Sequence, residues 1–284
     1  MKRLYCIPGG GTTSILFIQW QKKLGPDIKV EYLDIPGRGY LSKKPEQQDM
    51  NGIAEVLAAE IMAKSADEPY LIFGYCFGAV AAYEVCMKLE EKGFHRPEKV
   101  FVCGSYPPSP REKVTEMVSR KHMRDELQRM FYHMFPSYLF KDADMQKKVS
   151  SAYMKALYGI YDSAGKVSEV SSDDNAFSEL IAADAETVKY VVKLANDYFR
   201  QYVKDEKILI EYCNSEKPLK KIMAPLTVIF GRDDDVIGDE WKVWENFAGD
   251  SFDPVSIPTD HFSLTDDMEM ILGIVTNNKT ERER

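Results

Sequence analysis

Five residues, Gly74-Tyr75-Cys76-Phe77-Gly78, stand between Tyr70-Leu71-Ile72-Phe73 and the helical run Ala79–Lys92, and nothing else in the chain restricts its fold as much. The short apolar run closed by glycine reads as a buried strand. Val80, Tyr83, Met87 and Leu89 fall on a broad helical face, and Gly93 supplies a C-cap. A strand that becomes a helix this abruptly needs a sharp turn. Glycines on either side let the two elements approach, and the central side chain is lifted out of the sheet's C-terminal edge. The helix start behind it favours negative charge. Cys76 is therefore the candidate nucleophile, at the position that serine fills in a G-x-S-x-G elbow.

The remaining pattern predicts the scaffold. Leu4–Ile7 runs into Pro8-Gly9-Gly10-Gly11. Val30–Leu33 stops at Asp34-Ile35-Pro36-Gly37-Arg38-Gly39, and Val100–Cys103, Leu226–Phe230 and Val255–Ile257 read as further strands. Ile53, Val56, Leu57 and Ile61 recur at helical spacing within residues 52–63. Continuous apolar strands alternating with helices predict an α/β fold with a mostly parallel sheet covered on both faces. Residues 1–284 are expected to form one such domain. Within it, 105–223 reads as a helical lid insertion, with runs such as Met123, Leu127, Met130, Phe131, Met134 and Val188, Val191, Val192, Ala195, Phe199.

Composition removes several function classes. The formal charge is −8, from 37 Lys+Arg against 45 Asp+Glu, which argues against non-specific nucleic-acid binding. No apolar run approaches the roughly 18 residues of a membrane span, and the neutral stretch after Met1-Lys2-Arg3 is too short for a secretory signal. The five cysteines are scattered and lack CxxC spacing, which excludes a zinc ribbon and argues against a disulfide scaffold. A reducing cytoplasm is the expected setting, and Cys6, Cys86 and Cys103 read as core. No metal is expected. No cofactor is expected either: the glycine loop at 9–11 lacks a GxGxxG or GxxxxGK[ST] phosphate pattern.

A nucleophile needs a base and an orienting acid. Of the four histidines, His95 precedes Pro97 in a loop, and His122 and His133 lie in the insertion. His261, in Pro258-Thr259-Asp260-His261-Phe262, follows a strand near the C-terminus. The chain order nucleophile, acid, histidine selects His261. The acid should follow the strand Leu226–Phe230, where Gly231 leads into Arg232-Asp233-Asp234-Asp235; Asp234 is favoured, with Asp233 and Asp235 as alternatives. The oxyanion donors are expected to be the backbone N–H of Phe77 and that of Gly10, with Gly9 as second choice.

These segments, in this order and spread over nearly the whole chain, resemble the type II thioesterases that accompany non-ribosomal peptide and polyketide synthases. Ile35-Pro36-Gly37-Arg38 is the most family-specific of them. The resemblance implies an α/β-hydrolase fold with a helical lid and a catalytic triad. It also implies removal of acyl or aminoacyl groups from the phosphopantetheine arm of acyl or peptidyl carrier proteins. Two positions depart from the family pattern: Gly9 replaces the usual His, and Cys76 the usual Ser. A thiolate attacking a thioester yields another thioester, so the acyl group stays activated and can pass to thiols and amines.

Three readings follow. The first is a carrier-protein thioesterase working through a Cys-linked acyl-enzyme. The second is an acyl- or aminoacyltransferase using the same triad, with an amine or another carrier thiol as acceptor. The third is a small-molecule esterase or lactonase, or a non-catalytic binding module that keeps the fold. An acidic carrier would need a basic landing site. Residues 111–129 offer Arg111, Lys113, Arg120, Lys121, Arg124 and Arg129 against Glu112, Glu116, Asp125 and Glu126.

Overall fold

The computed structural model describes residues 1–109, 131–132, 137, 140, 142–148, 150–151, 198, 201–202, 204–216, 220–234, 236–249, 251–261 and 267–276. Six strands form one sheet: β1 (Lys2–Ile7), β2 (Ile28–Tyr32), β3 (Tyr70–Tyr75), β4 (Lys99–Cys103), β5 (Leu226–Gly231) and β6 (Phe252–Ile257). Their order is β2-β1-β3-β4-β5-β6, and every neighbouring pair is parallel. β3 is buried at all six positions, as a central strand covered on both faces requires. β6 is half exposed and holds Pro254, which an edge strand tolerates because one side needs no ladder donor.

The helices follow from the apolar spacing. Helix α1 is Trp20–Leu24, α2 is Met50–Ser65, α3 is Phe77–Glu91 and α4 is Met268–Val275. Asp49 caps α2 by accepting from the Gly52 N–H at 2.7 Å. The α3 end is a Schellman turn: Phe94 N–H donates to Leu89 O at 2.9 Å and Gly93 N–H to Glu90 O at 3.0 Å, with Gly93 at φ +65°. One core face packs α2 and α3 on the sheet through Ile53, Leu57, Ile61, Val80 and Val85. The other holds Phe17, Trp20, Phe73, Phe101 and Ile271.

Contacts divide the chain into two compact units, Met1–Pro110 with Ile208–Arg284, and Arg111–Lys207. The expected lid at 105–223, its basic stretch at 111–129, His122 and His133 fall largely outside the described residues. Within the first unit, register sets the site. Ile7 pairs with Gly74, Tyr75 with Cys103, Cys103 with Ile229 and Gly231 with Ile257. The strands thus end near one edge, where the loops bearing Gly9, Cys76, Gly104, Asp234 and His261 leave the sheet.

Candidate active site

Cys76 occupies φ +50°, ψ −117°; among the described residues only it and Ala66 have positive φ without being glycine. Such backbone costs about 1–3 kcal/mol and persists only where its surroundings fix it. Here they do: Cys76 N–H donates to Cys103 O at 2.9 Å, and Cys76 O accepts from Ala79 N–H at 3.0 Å. The flanking glycines are sterically required. A Cβ on Gly74 would stand 2.2 Å from the Gly78 carbonyl oxygen, and one on Gly78 would stand 2.3 Å from that of Ile7. Cys76 is the partly exposed thiol; Cys6, Cys86, Cys103 and Cys213 are buried and in no disulfide, and burial pushes the Cys86 thiol up to about 12.

His261 reaches this elbow from the loop after β6. Its Nδ1 lies 3.0 Å from Oδ2 of Asp234. The other oxygen of that buried carboxylate, Oδ1, accepts from the N–H groups of Val236 at 3.0 Å and Ile237 at 2.9 Å. The backbone thus fixes the carboxylate and leaves Oδ2 for the imidazole. Burial disfavours charge on His261, but hydrogen bonds and attraction from Asp234 and Cys76 outweigh it and hold the imidazole pKa well above its ordinary value. With Nδ1 engaged by Asp234, the other ring nitrogen is left to the Cys76 thiol. Asp233 is exposed, and its N–H closes the turn on Thr259 O at 3.1 Å. Asp235 lies outside the described residues. His95 instead meets the Ala66 carbonyl at 2.6 Å through Nε2.

Gly231 and Tyr75, both quoted above for their places in motifs, make contacts that the motifs did not announce. Gly231 sits where the loops bearing Asp234 and His261 cross backbone to backbone, and a Cβ there would stand 2.2 Å from Thr259 O. A glycine ending a strand was the available signal. Tyr75 donates its hydroxyl to His261 O at 3.0 Å, while its ring packs on Gly9 and Gly104. No local pattern announces a contact so distant in sequence.

The glycine loop approaches Cys76 at Gly9, where an added Cβ would lie 3.5 Å from Cys76 Cβ. Thr12 closes the turn, with its N–H and hydroxyl both donating to Gly9 O, at 3.3 and 2.8 Å. Gly10 is buried in that turn. Phe77 is the first residue of α3, so its N–H is one the helix cannot satisfy internally. Asp34, fully buried, ties this loop to the next one. It accepts from Ser14 N–H (2.5 Å), Ser14 Oγ (2.9 Å) and Tyr40 N–H (2.7 Å). Among the described residues no cluster of three or more His, Cys, Asp or Glu could hold a metal, and no helix is long and apolar enough to cross a membrane.

Sheet order, elbow and strand-end loops define an α/β-hydrolase. The same fold occurs in RedJ, a thioesterase from the prodiginine pathway of Streptomyces coelicolor (TM-score 0.64, 21% identity, 97% of this chain and 85% of that one). It occurs also in ClbQ from the colibactin pathway (TM-score 0.67, 18% identity, 97% and 95%). The thioesterase-domain family model matches residues 2–278, and the chain belongs to that family. Its relatives include the gramicidin S biosynthesis protein GrsT of Aneurinibacillus migulanus, 27% identical over 37% of this chain and 41% of GrsT. Another is thioesterase PikA5 of Streptomyces venezuelae, 28% identical over 38% of each chain. The matched segments thus span about two fifths of those relatives.

Proposed function

We propose that the protein acts on acyl or aminoacyl thioesters of carrier proteins in non-ribosomal peptide or polyketide biosynthesis, through an acyl-enzyme on Cys76. The observation that carries this reading is the elbow thiol beside the His261–Asp234 pair in a thioesterase-family chain. The Cys76 sulfur attacks the thioester carbonyl carbon while His261 holds the thiol proton. The oxyanion is received by the N–H groups of Phe77 and Gly10. The C–S bond to pantetheine breaks, and the leaving thiolate takes the proton from His261. In the second half-reaction His261 removes a proton from water, which attacks the acyl-Cys76 carbonyl and releases the acid and the Cys76 thiol. Asp234 keeps the imidazole in the required tautomer throughout. Cysteines that form no disulfide suit a reducing cytoplasm.

The sulfur at position 76 favours one second reading, transfer. Acyl-Cys76 is itself a thioester, so an amine or a second pantetheine thiol can take the acyl group with little loss of activation. Intact-mass measurement after mixing the protein with an acyl-carrier thioester, with and without amines, tests both. An adduct on wild type that is absent from Cys76→Ala and decays in water supports hydrolysis. An adduct that persists in water and clears with an amine supports transfer. An adduct on Cys76→Ala protein sinks the assignment of the nucleophile.

A further inference from the structure

The segment after the glycine loop buries one side and exposes the other. Ser14, Phe17 and Trp20 point into the core, whereas Ile15 and Ile18 are 69% and 45% exposed. Tyr40, on the neighbouring loop, is 65% exposed and stacks on Tyr32 with ring centroids 5.4 Å apart. The two loops form one surface because the Asp34 carboxylate binds the N–H groups of both Ser14 and Tyr40. Exposed large apolar side chains are few among the described residues, and three of them lie on these two Asp34-linked loops.

The charged side chains of the two loop segments themselves are all basic, although acids flank them at Asp27, Glu31, Asp34 and Glu46. Residues 11–26 and 35–45 hold Lys22, Lys23, Arg38, Lys43 and Lys44 and no Asp or Glu, in a chain of net −8. Lys23 pairs with Glu269, and Lys44 with Glu60 at 3.1 Å. Lys22 and Lys43 are exposed and make no ion pair among the described residues. An apolar centre within a basic rim is complementary to an acidic partner with an apolar contact face. The surface also lies close to the chemistry. A Cβ added at Gly9 would lie 3.5 Å from Cys76 Cβ, and the six residue steps from Gly9 to Ile15 span at most about 20 Å even when fully extended.

We infer that Ile15, Ile18 and Tyr40, rimmed by Lys22 and Lys43, dock the acidic carrier domain that delivers the acyl-pantetheine arm to Cys76; this rests on the carrier-thioester reading above. The test compares one acyl group on a carrier protein and on N-acetylcysteamine, with wild type, Lys22→Glu/Lys43→Glu and Ile15→Gln/Tyr40→Ser. For both variants kcat/KM with the carrier substrate is expected to fall about tenfold or more. Turnover of the small thioester stays unchanged, which also reports an intact fold. Rising salt should weaken carrier turnover by wild type and affect the charge-reversed variant much less. Unchanged carrier turnover, or equal loss on both substrates, overturns the inference. So does a wild-type dimer that Ile15→Gln/Tyr40→Ser dissociates, because the patch is then a contact between copies. A wild type that consumes the small thioester and ignores the carrier refutes the carrier reading itself, before any variant is made.

Discussion

The Tyr75 hydroxyl donates to the carbonyl oxygen of His261 at 3.0 Å, across 186 positions of the chain. The residue before Cys76 therefore anchors the backbone of the proposed base. Tyr75→Phe keeps the ring against Gly9 and Gly104 and removes the tether. A net hydrogen bond of about 1 kcal/mol corresponds to roughly a fivefold effect. The expected outcome is a single-turnover acylation rate about fivefold lower with KM unchanged. A rate equal to wild type would show that the His261 loop holds itself.

Asp234 and Asp233 are adjacent but differ in partner. Asp234→Asn keeps an oxygen for Val236 and Ile237 but turns a donor toward His261 Nδ1. Cys76 acylation should slow about 10- to 100-fold. Asp233→Asn, in an exposed position, should stay within about threefold. The reverse ranking would move the acid to the wrong side of Asp234.

The raised pKa of His261 makes stability depend on pH. The ordinary value, about 6.5, describes the unfolded chain, and the folded value is higher. The folded state therefore binds the proton more tightly. The stabilisation is complete below about pH 6.5 and is lost as pH rises through the folded-state value. Wild type should exceed His261→Gln in unfolding free energy most near pH 6, with the gap narrowing toward pH 9. A gap that widens with pH contradicts this sign.

Glycine substitutions separate fit from flexibility. Gly231→Ala forces its Cβ onto Thr259 O, backbone that carries the His261 loop, and should cost about 1–3 kcal/mol. In Gly52→Ala the clash is with the far end of the Gln47 side chain, which can turn away, and α2 gains propensity. Thermal unfolding of both variants decides: equal losses would mean that the Gly231 crossing is not tight.

Cys76→Gly should behave oppositely in stability and activity. It relieves the φ of +50° and should raise stability by about 1 kcal/mol while abolishing adduct formation. A destabilised glycine variant would show that the elbow is unstrained.

The elbow, Asp234 and His261 were legible because each lies at a strand end marked by glycine or by chain order. The strand cores were legible for the same reason, with boundaries displaced: β2 begins at Ile28 and ends at Tyr32, and β6 begins at Phe252. Pro254 masks the start of β6, since proline argues against a strand unless it is an edge. Helix α3 begins at Phe77, two residues before its apolar periodicity starts. The turn Ser14–Phe17, α1 and α4 were not read at all. Each is too short for a 3.6-residue period to stand out, and α1 and Ser14–Phe17 are held by Asp34 and the aromatic cluster around Trp20 instead. Asp34 itself looked like a strand terminator, because its three donors come from loops whose proximity only the fold creates.

β4 has a consequence for biogenesis. Its neighbour β3 comes immediately before it, but β5, which pairs with its other side, begins only at Leu226. At about 5–20 residues per second, a ribosome needs on the order of 6–25 s to make the intervening chain. During that interval the apolar strand Lys99–Cys103 has an unpaired edge, the type of surface that recruits other strands. Newly made chain should therefore depend on chaperones more than the finished protein's stability suggests, and expression at low temperature or with added chaperone should raise soluble yield more than stabilising substitutions in β6.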